Sequence, residues 1–141
     1  MAAVENNSGA TSAERLLSGH LEQAAIAVET LFAKARSHVA ALLAPAGRID
    51  SVRLDAEQHR AHGLSWLATY SAAIREMANF AGRLERQGKF GETERLTAGI
   101  VVGEYLNHIA GGIPMNQGEV ARITDLGLSR ADLAPVLACA L

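Results

Sequence analysis

The stretch from His59 to Gly112 constrains this chain most. It holds two strongly helical runs separated by the glycine-bounded turn Gly88-Lys89-Phe90-Gly91. So short a connection brings the second run back alongside the first, as an antiparallel pair. Only three prolines occur, at positions 45, 114 and 135, so long uninterrupted helices are possible elsewhere. Hydrophobic residues make up 49% of the 141 positions but aromatics only 4%. A chain so rich in Ala and Leu suits closely packed helices. The expected fold is all-α, one domain built as a mostly antiparallel bundle of three long helices plus one or two short C-terminal helices.

Local signals set the expected boundaries. The first ten residues are small and polar and are expected to be disordered. Thr11 and Glu14 fit a capping box that starts the first long helix. Its apolar positions are Leu17, Leu21, Ala24, Val28, Leu31, Ala35, Val39 and Leu42, spaced three or four apart, and Leu16, Phe32 and Leu43 widen the stripe. Pro45 disfavours helix at Ala44, so the run ends near Leu43. The link from Ala44 to Leu54 is expected to be packed down by Ile49, Val52 and Leu54.

The second long helix is expected to start after Asp55, with Asp55 and Gln58 as a cap pair. Leu64, Leu67, Ser71, Ile74, Met77 or Ala78, Ala81 and Leu84 form its inner stripe. Trp66, Tyr70 and Phe80 lie off the centre of that stripe, placed to widen the core or to meet a partner. Gly63 costs about 1 kcal/mol against Ala in a helix, so close contact with a neighbouring helix is the expected reason for it. Gly88 suits the position just past the helix end.

The third helix should run from Glu92 to Ala110. Its middle, AGIVVGEYLNHIAG, is apolar on most sides, which predicts a central position or an interface. Beyond it, Ile113-Pro114 is extended. Asn116 with Glu119 is expected to cap a short helix ending before Asp125. A last short helix through Ala140 can start at Ser129 or Asp132, and Pro135, which suits a first turn, favours Asp132. The bundle domain thus spans 11–128, and 129–141 is a short helix or the start of a linker.

The net charge is −2 with both signs interspersed, which argues against nucleic acid or an anionic membrane as partner. No apolar run reaches the roughly 18 residues of a membrane span. The sequence MAAVENNSGATSAER lacks the basic and then apolar pattern of a secretory leader. Cys139 is alone, so no internal disulfide or cysteine zinc site is expected and a reducing cytoplasm fits.

His59 and His62 can share a helix face and both reach a metal, but further ligands at suitable spacing are missing, so exposed or capping histidines are the expectation and no metal site is assigned. Glu104 and His108, four apart, can form an acid–base pair or a satisfied structural one. The Glu-x-x-His repeat of a di-iron bundle is absent. The glycines at 103, 111, 112 and 118 do not follow a strand, and no nucleophile elbow or phosphate loop occurs. No catalytic or cofactor-binding residue is therefore assigned. The candidate interface comprises Trp66, Tyr70, Phe80, Val101 and Tyr105.

The runs HGLSWLATYSAAIREMANFAGRLERQGKFGE and GEYLNHIAGGIPMNQGEVARITDLGL carry a resemblance. From about Ile49 to Leu128 the chain resembles the N-terminal helical extension of the methylsuccinyl-CoA dehydrogenases, within the flavin-dependent acyl-CoA dehydrogenase superfamily. WLATY, GKFGE and AGGIPM, in that order, are the family's text. The resemblance implies oxidation of a branched acyl-CoA thioester at Cα–Cβ, with a glutamate taking the α-proton and FAD the hydride. It also implies a place in the bacterial ethylmalonyl-CoA route. The flavin- and CoA-binding domains are expected to lie after Leu141, and Glu104 does not match the family's base. The expectation is a chain inactive alone, with no cofactor of its own, that docks on a dehydrogenase body or on its own copies as a homo-oligomer. Two other expectations stand beside it. One is a free-standing interaction protein that dimerises through the stripe of the first helix. The other is a small metal- or ligand-binding bundle using His59, His62, Glu104 or His108.

Overall fold

A computed structural model describes residues 12–139, with side chains described for residues 17–139. The expected Thr11 cap, the disorder of the first ten residues and the reach to Ala140 lie outside the described residues.

Helix α1 is Ser12–Leu43, ending before Pro45 as the proline requires. It buries Leu21, Ala24, Ala25, Val28, Leu31, Ala35, Val39 and Leu43. The stripe holds except at its end, where Leu43 is buried and Leu42 is exposed. These two residues sit on opposite flanks of the stripe, about 100° apart around the helix. Only one flank is covered at this end.

The link differs from expectation. Asp50 Oδ1 accepts hydrogen bonds from the Val52 and Arg53 N–H groups at 2.9 and 3.2 Å and nucleates a short helix, α2, Ser51–Ala56. Because that turn faces water, Ile49 and Val52 stay 70% and 75% exposed rather than packing down. Asp55 falls inside α2, so it caps nothing. Helix α3, Gln58–Arg86, starts at Glu57, which makes no side-chain cap bond.

Helix α3 packs antiparallel along α1. Near one end Ser18 Oγ donates to Glu85 Oε2 at 2.6 Å. Midway, Arg75 binds Glu29 through Nε and Nη2, each at 2.8 Å, and Glu22 through Nη1 at 2.6 Å. A two-pronged guanidinium contact of this kind fixes register as well as adding attraction. The inner stripe holds at Leu67, Ser71, Ile74, Ala78 and Ala81, which are buried, and Leu64, Met77 and Leu84 are partly covered. Helix α3 ends as its glycine predicts. Gly88, at φ +65°, donates its N–H to Glu85 O at 3.0 Å, and the Lys89 N–H reaches Leu84 O at 2.8 Å. This pair of reversed bonds satisfies the last carbonyls and turns the chain.

Helix α4, Glu92–Gly111, runs back beside α3. It is not central. Only Ala98, Val102, Leu106 and Ile109 are buried, all on one face, while Leu96 and Ile100 are 60% and 63% exposed. The α1–α3 pair, with the longer shared stripe, occupies the middle of the bundle instead.

The connection after α4 is a hairpin, not a capped helix. Strand β1, Ile113–Pro114, pairs antiparallel with β2, Val120–Ala121, with Ile113 opposite Ala121. Asn116 and Glu119 do pair locally, but they close a turn. Asn116 Oδ1 accepts from the Gly118 and Glu119 N–H groups at 2.9 and 3.0 Å, while Met115 N donates back to Glu119 O. This side chain to backbone closure imitates a turn as readily as it caps a helix. The hairpin lies against α3 at Gly63, where an added Cβ would stand 2.7 Å from Ala121 Cβ. The neighbour that demands glycine there is thus a strand, not a helix.

A short 3-10 turn, Ile123–Leu126, leads to α5, Arg130–Leu137. Ser129 caps α5, exchanging bonds with Asp132, and Pro135 therefore sits inside it rather than in its first turn. The satisfied cap at Ser129 outweighs the proline preference. Lys34 Nζ on α1 meets Asp132 Oδ1 at 2.8 Å. Ile113, Ile123, Leu126, Leu128, Leu133 and Val136 join the same buried cluster as the long helices. The C-terminal segments thus close one end of the bundle. The all-α class holds, with the two-residue strands as its only sheet among the described residues.

Candidate functional site

Polar and aromatic side chains concentrate where α3 meets the last turns of α4. His62, Trp66 and Tyr70 recur every fourth residue, so they line one face of α3. Trp66 Nε1 donates to His62 Nε2 at 3.0 Å. The Trp66 ring meets the Tyr70 ring edge-on, centroids 6.3 Å apart. Tyr70 in turn lies 4.5 Å from Tyr105 by centroids and 3.1 Å, hydroxyl to Nδ1, from His108. The result is a ladder of rings joining the two helices. Burial first, then the neighbouring Tyr105 and the Glu104 carboxylate, push the Tyr70 hydroxyl above its ordinary value of 10.0.

The ladder brings together residues that sequence spacing left apart. His108 pairs with Tyr70 across the helix interface, while Glu104, one turn before it, sits on the exposed side of α4. Tyr70 is only 6% exposed and lies inside the bundle, and Trp66 and Tyr105 are partly covered against the core. Phe80 and Val101 are half-buried. The exposed large apolar side chains of α4 are Leu96 and Ile100, outside the aromatic-led candidate set. The signal that finds them is the apolar character of this helix on the side opposite Ala98, Val102 and Ile109.

His59 and His62 diverge. His59 Nε2 stands 3.6 Å from Asp125 Oδ2, and His62 is taken by Trp66. Among the described residues no three His, Cys, Asp or Glu side chains are grouped to hold a metal ion. No buried side-chain nitrogen or oxygen among the described residues lacks a hydrogen-bond partner. No helix among the described residues is long and apolar enough to cross a membrane.

No protein-family model matches the chain. Among curated proteins, the (2S)-methylsuccinyl-CoA dehydrogenase of Cereibacter sphaeroides is 50% identical over 101 residues, which is 72% of this chain. The match spans only 18% of that relative's length. Identity at this level over most of the chain makes it similar to one segment of that (2S)-methylsuccinyl-CoA dehydrogenase.

Proposed function

We propose that this bundle is a non-catalytic docking module of a flavin-dependent acyl-CoA dehydrogenase that acts on methylsuccinyl-CoA or a similar thioester. The outer face of α4 is its contact surface. The observation that carries this reading is the pair Leu96 and Ile100, left 60% and 63% exposed one turn apart on α4. Covering the exposed parts of both contributes about 3 kcal/mol at the usual transfer coefficient. A helix of 20 residues offers about 30 Å of length to a partner. The similarity to one segment of the relative supplies the occupant: the remainder of such a dehydrogenase. On this reading FAD, the thioester and the proton-abstracting carboxylate belong to that remainder, and the chain works in the cytoplasm beside it. The ladder of Trp66, Tyr70, Tyr105 and His108 holds α4 at a fixed angle, so that its outer ridge is presented rigidly.

The test uses this chain and the Cereibacter sphaeroides relative with its matching segment deleted. Sedimentation velocity should show a complex that Ile100→Asp abolishes while leaving the chain's helical signal unchanged. A chain that stays a monomer in the presence of that partner refutes the docking reading. Self-association without affinity for the partner would instead support a free-standing dimeric interaction protein.

A further inference from the structure

We propose that the cleft between the end of α4 and the face of α5 binds a small amphiphilic anion, an aliphatic carboxylate of a few carbons. This goes beyond the docking reading and does not depend on it. The cleft encloses about 310 Å³, at the lower end of what small-ligand sites require. Its floor is apolar, made by Ile123, Leu133 and Leu137. Ile123 and Leu133 are 7% and 5% exposed and anchored in the core, so the floor is preformed. At its rim stand Arg122, Arg130 and the hydroxyl-bearing Thr124.

Both guanidinium groups are free to take an anion. Neither forms an ion pair or side-chain hydrogen bond among the described residues. The acids nearest them in sequence are engaged elsewhere. Asp125 Oδ2 accepts the Arg122 backbone N–H at 2.7 Å and faces His59. Asp132 is held by Ser129 and Lys34. The last turn of α4 forms a further wall. Its dipole end favours cations there but carries only about half a charge, too little to neutralise two arginines. A carboxylate can accept paired N–H bonds from a guanidinium while its alkyl part covers the apolar floor. The cleft by Arg83 and Arg86 lacks this combination. It already contains Glu22, and Ala78 is its one apolar side chain.

The probes are hexanoate, hexanol and inorganic phosphate, added to the full chain and followed by thermal melting and by two-dimensional NMR. Hexanoate should raise the melting temperature saturably, by mass action on the folded state. It should shift amide signals around Arg122, Thr124 and Arg130. Hexanol and phosphate should each bind at least about 10-fold more weakly, one lacking the charge and the other the alkyl part. Arg122→Gln and Arg130→Gln, both at exposed positions, should each weaken hexanoate by about 10-fold. Leu137→Asp should abolish binding with both arginines intact. Absence of saturable hexanoate binding overturns the proposal. So does binding indifferent to both arginine variants, or phosphate binding as tightly as hexanoate.

Discussion

Replacing Gly63 by alanine tests the contact between α3 and the hairpin. In a free helix the change should help, because Ala is favoured over Gly by about 1 kcal/mol. Here the new Cβ would stand 2.7 Å from Ala121 Cβ and 3.4 Å from Leu126 Cδ2. A methyl on a strand backbone cannot swing aside, so relief requires β2 to move off α3. Overpacking of this kind costs about 1–3 kcal/mol. Set against the propensity gain, the net loss is up to about 2 kcal/mol, or up to roughly 7 °C in melting temperature. Ala121→Gly removes the opposing methyl. Alone it should destabilise by about 1 kcal/mol, through a lost buried methyl and a looser strand. Combined with Gly63→Ala it should regain at least about 1 kcal/mol of the expected sum, a coupling that only contacting positions show. Urea melts of the four proteins measure the cycle. Gly63→Ala more stable than the parent, or strictly additive effects in the cycle, would refute the close approach.

Three further outcomes follow from the same contacts. Arg75→Ala should cost about 1 kcal/mol at neutral pH, because the bidentate contact links α1 and α3 at a partly exposed site. Hydrogen bonding from Arg75 lowers the Glu29 carboxyl below its ordinary 4.5. The associated stability is therefore complete above that value and is lost as pH falls through the lowered one, so the gap between parent and Arg75→Ala should close on acidification in pH-dependent urea melts. Tyr70→Phe should lose about 1 kcal/mol with the His108 bond. The hydroxyl is raised above 10.0, so its stabilisation is complete below that pH and disappears as alkalinity passes the folded value; a late phase in the tyrosinate absorbance titration should be absent from the variant. Trp66 is the single tryptophan, and its indole N–H donates to His62 Nε2. His62→Leu removes that acceptor and should shift the emission maximum; an unchanged spectrum in the variant would count against the pair.

The long helices were legible because each carries a repeating signal. The spacing from Leu21 to Val39 names the buried face of α1, and Gly88 names the end of α3. The short elements were not, because one hydrogen-bonding residue serves several local structures. Asp50 starts a helix where a packed link was expected, and Asn116 closes a hairpin where a helix was expected. Neither choice is settled by the local chain alone. The ladder was half-visible: the four-residue spacing of His62, Trp66 and Tyr70 puts them on one face, but the pairing of Tyr70 with His108 depends on how α4 lies. The outer ridge of α4 was hidden by a helix apolar on most sides, where sequence shows an excess of apolar faces but not which one the bundle covers.

The most direct test of the docking account is calorimetric titration of the chain into the relative lacking its matching segment, at several temperatures. The account predicts a saturable complex whose binding enthalpy falls as temperature rises, the mark of apolar surface buried on association. Leu96→Asp or Ile100→Asp should remove both the binding and that slope. A folded chain that gives no heat and no complex at any temperature would contradict it.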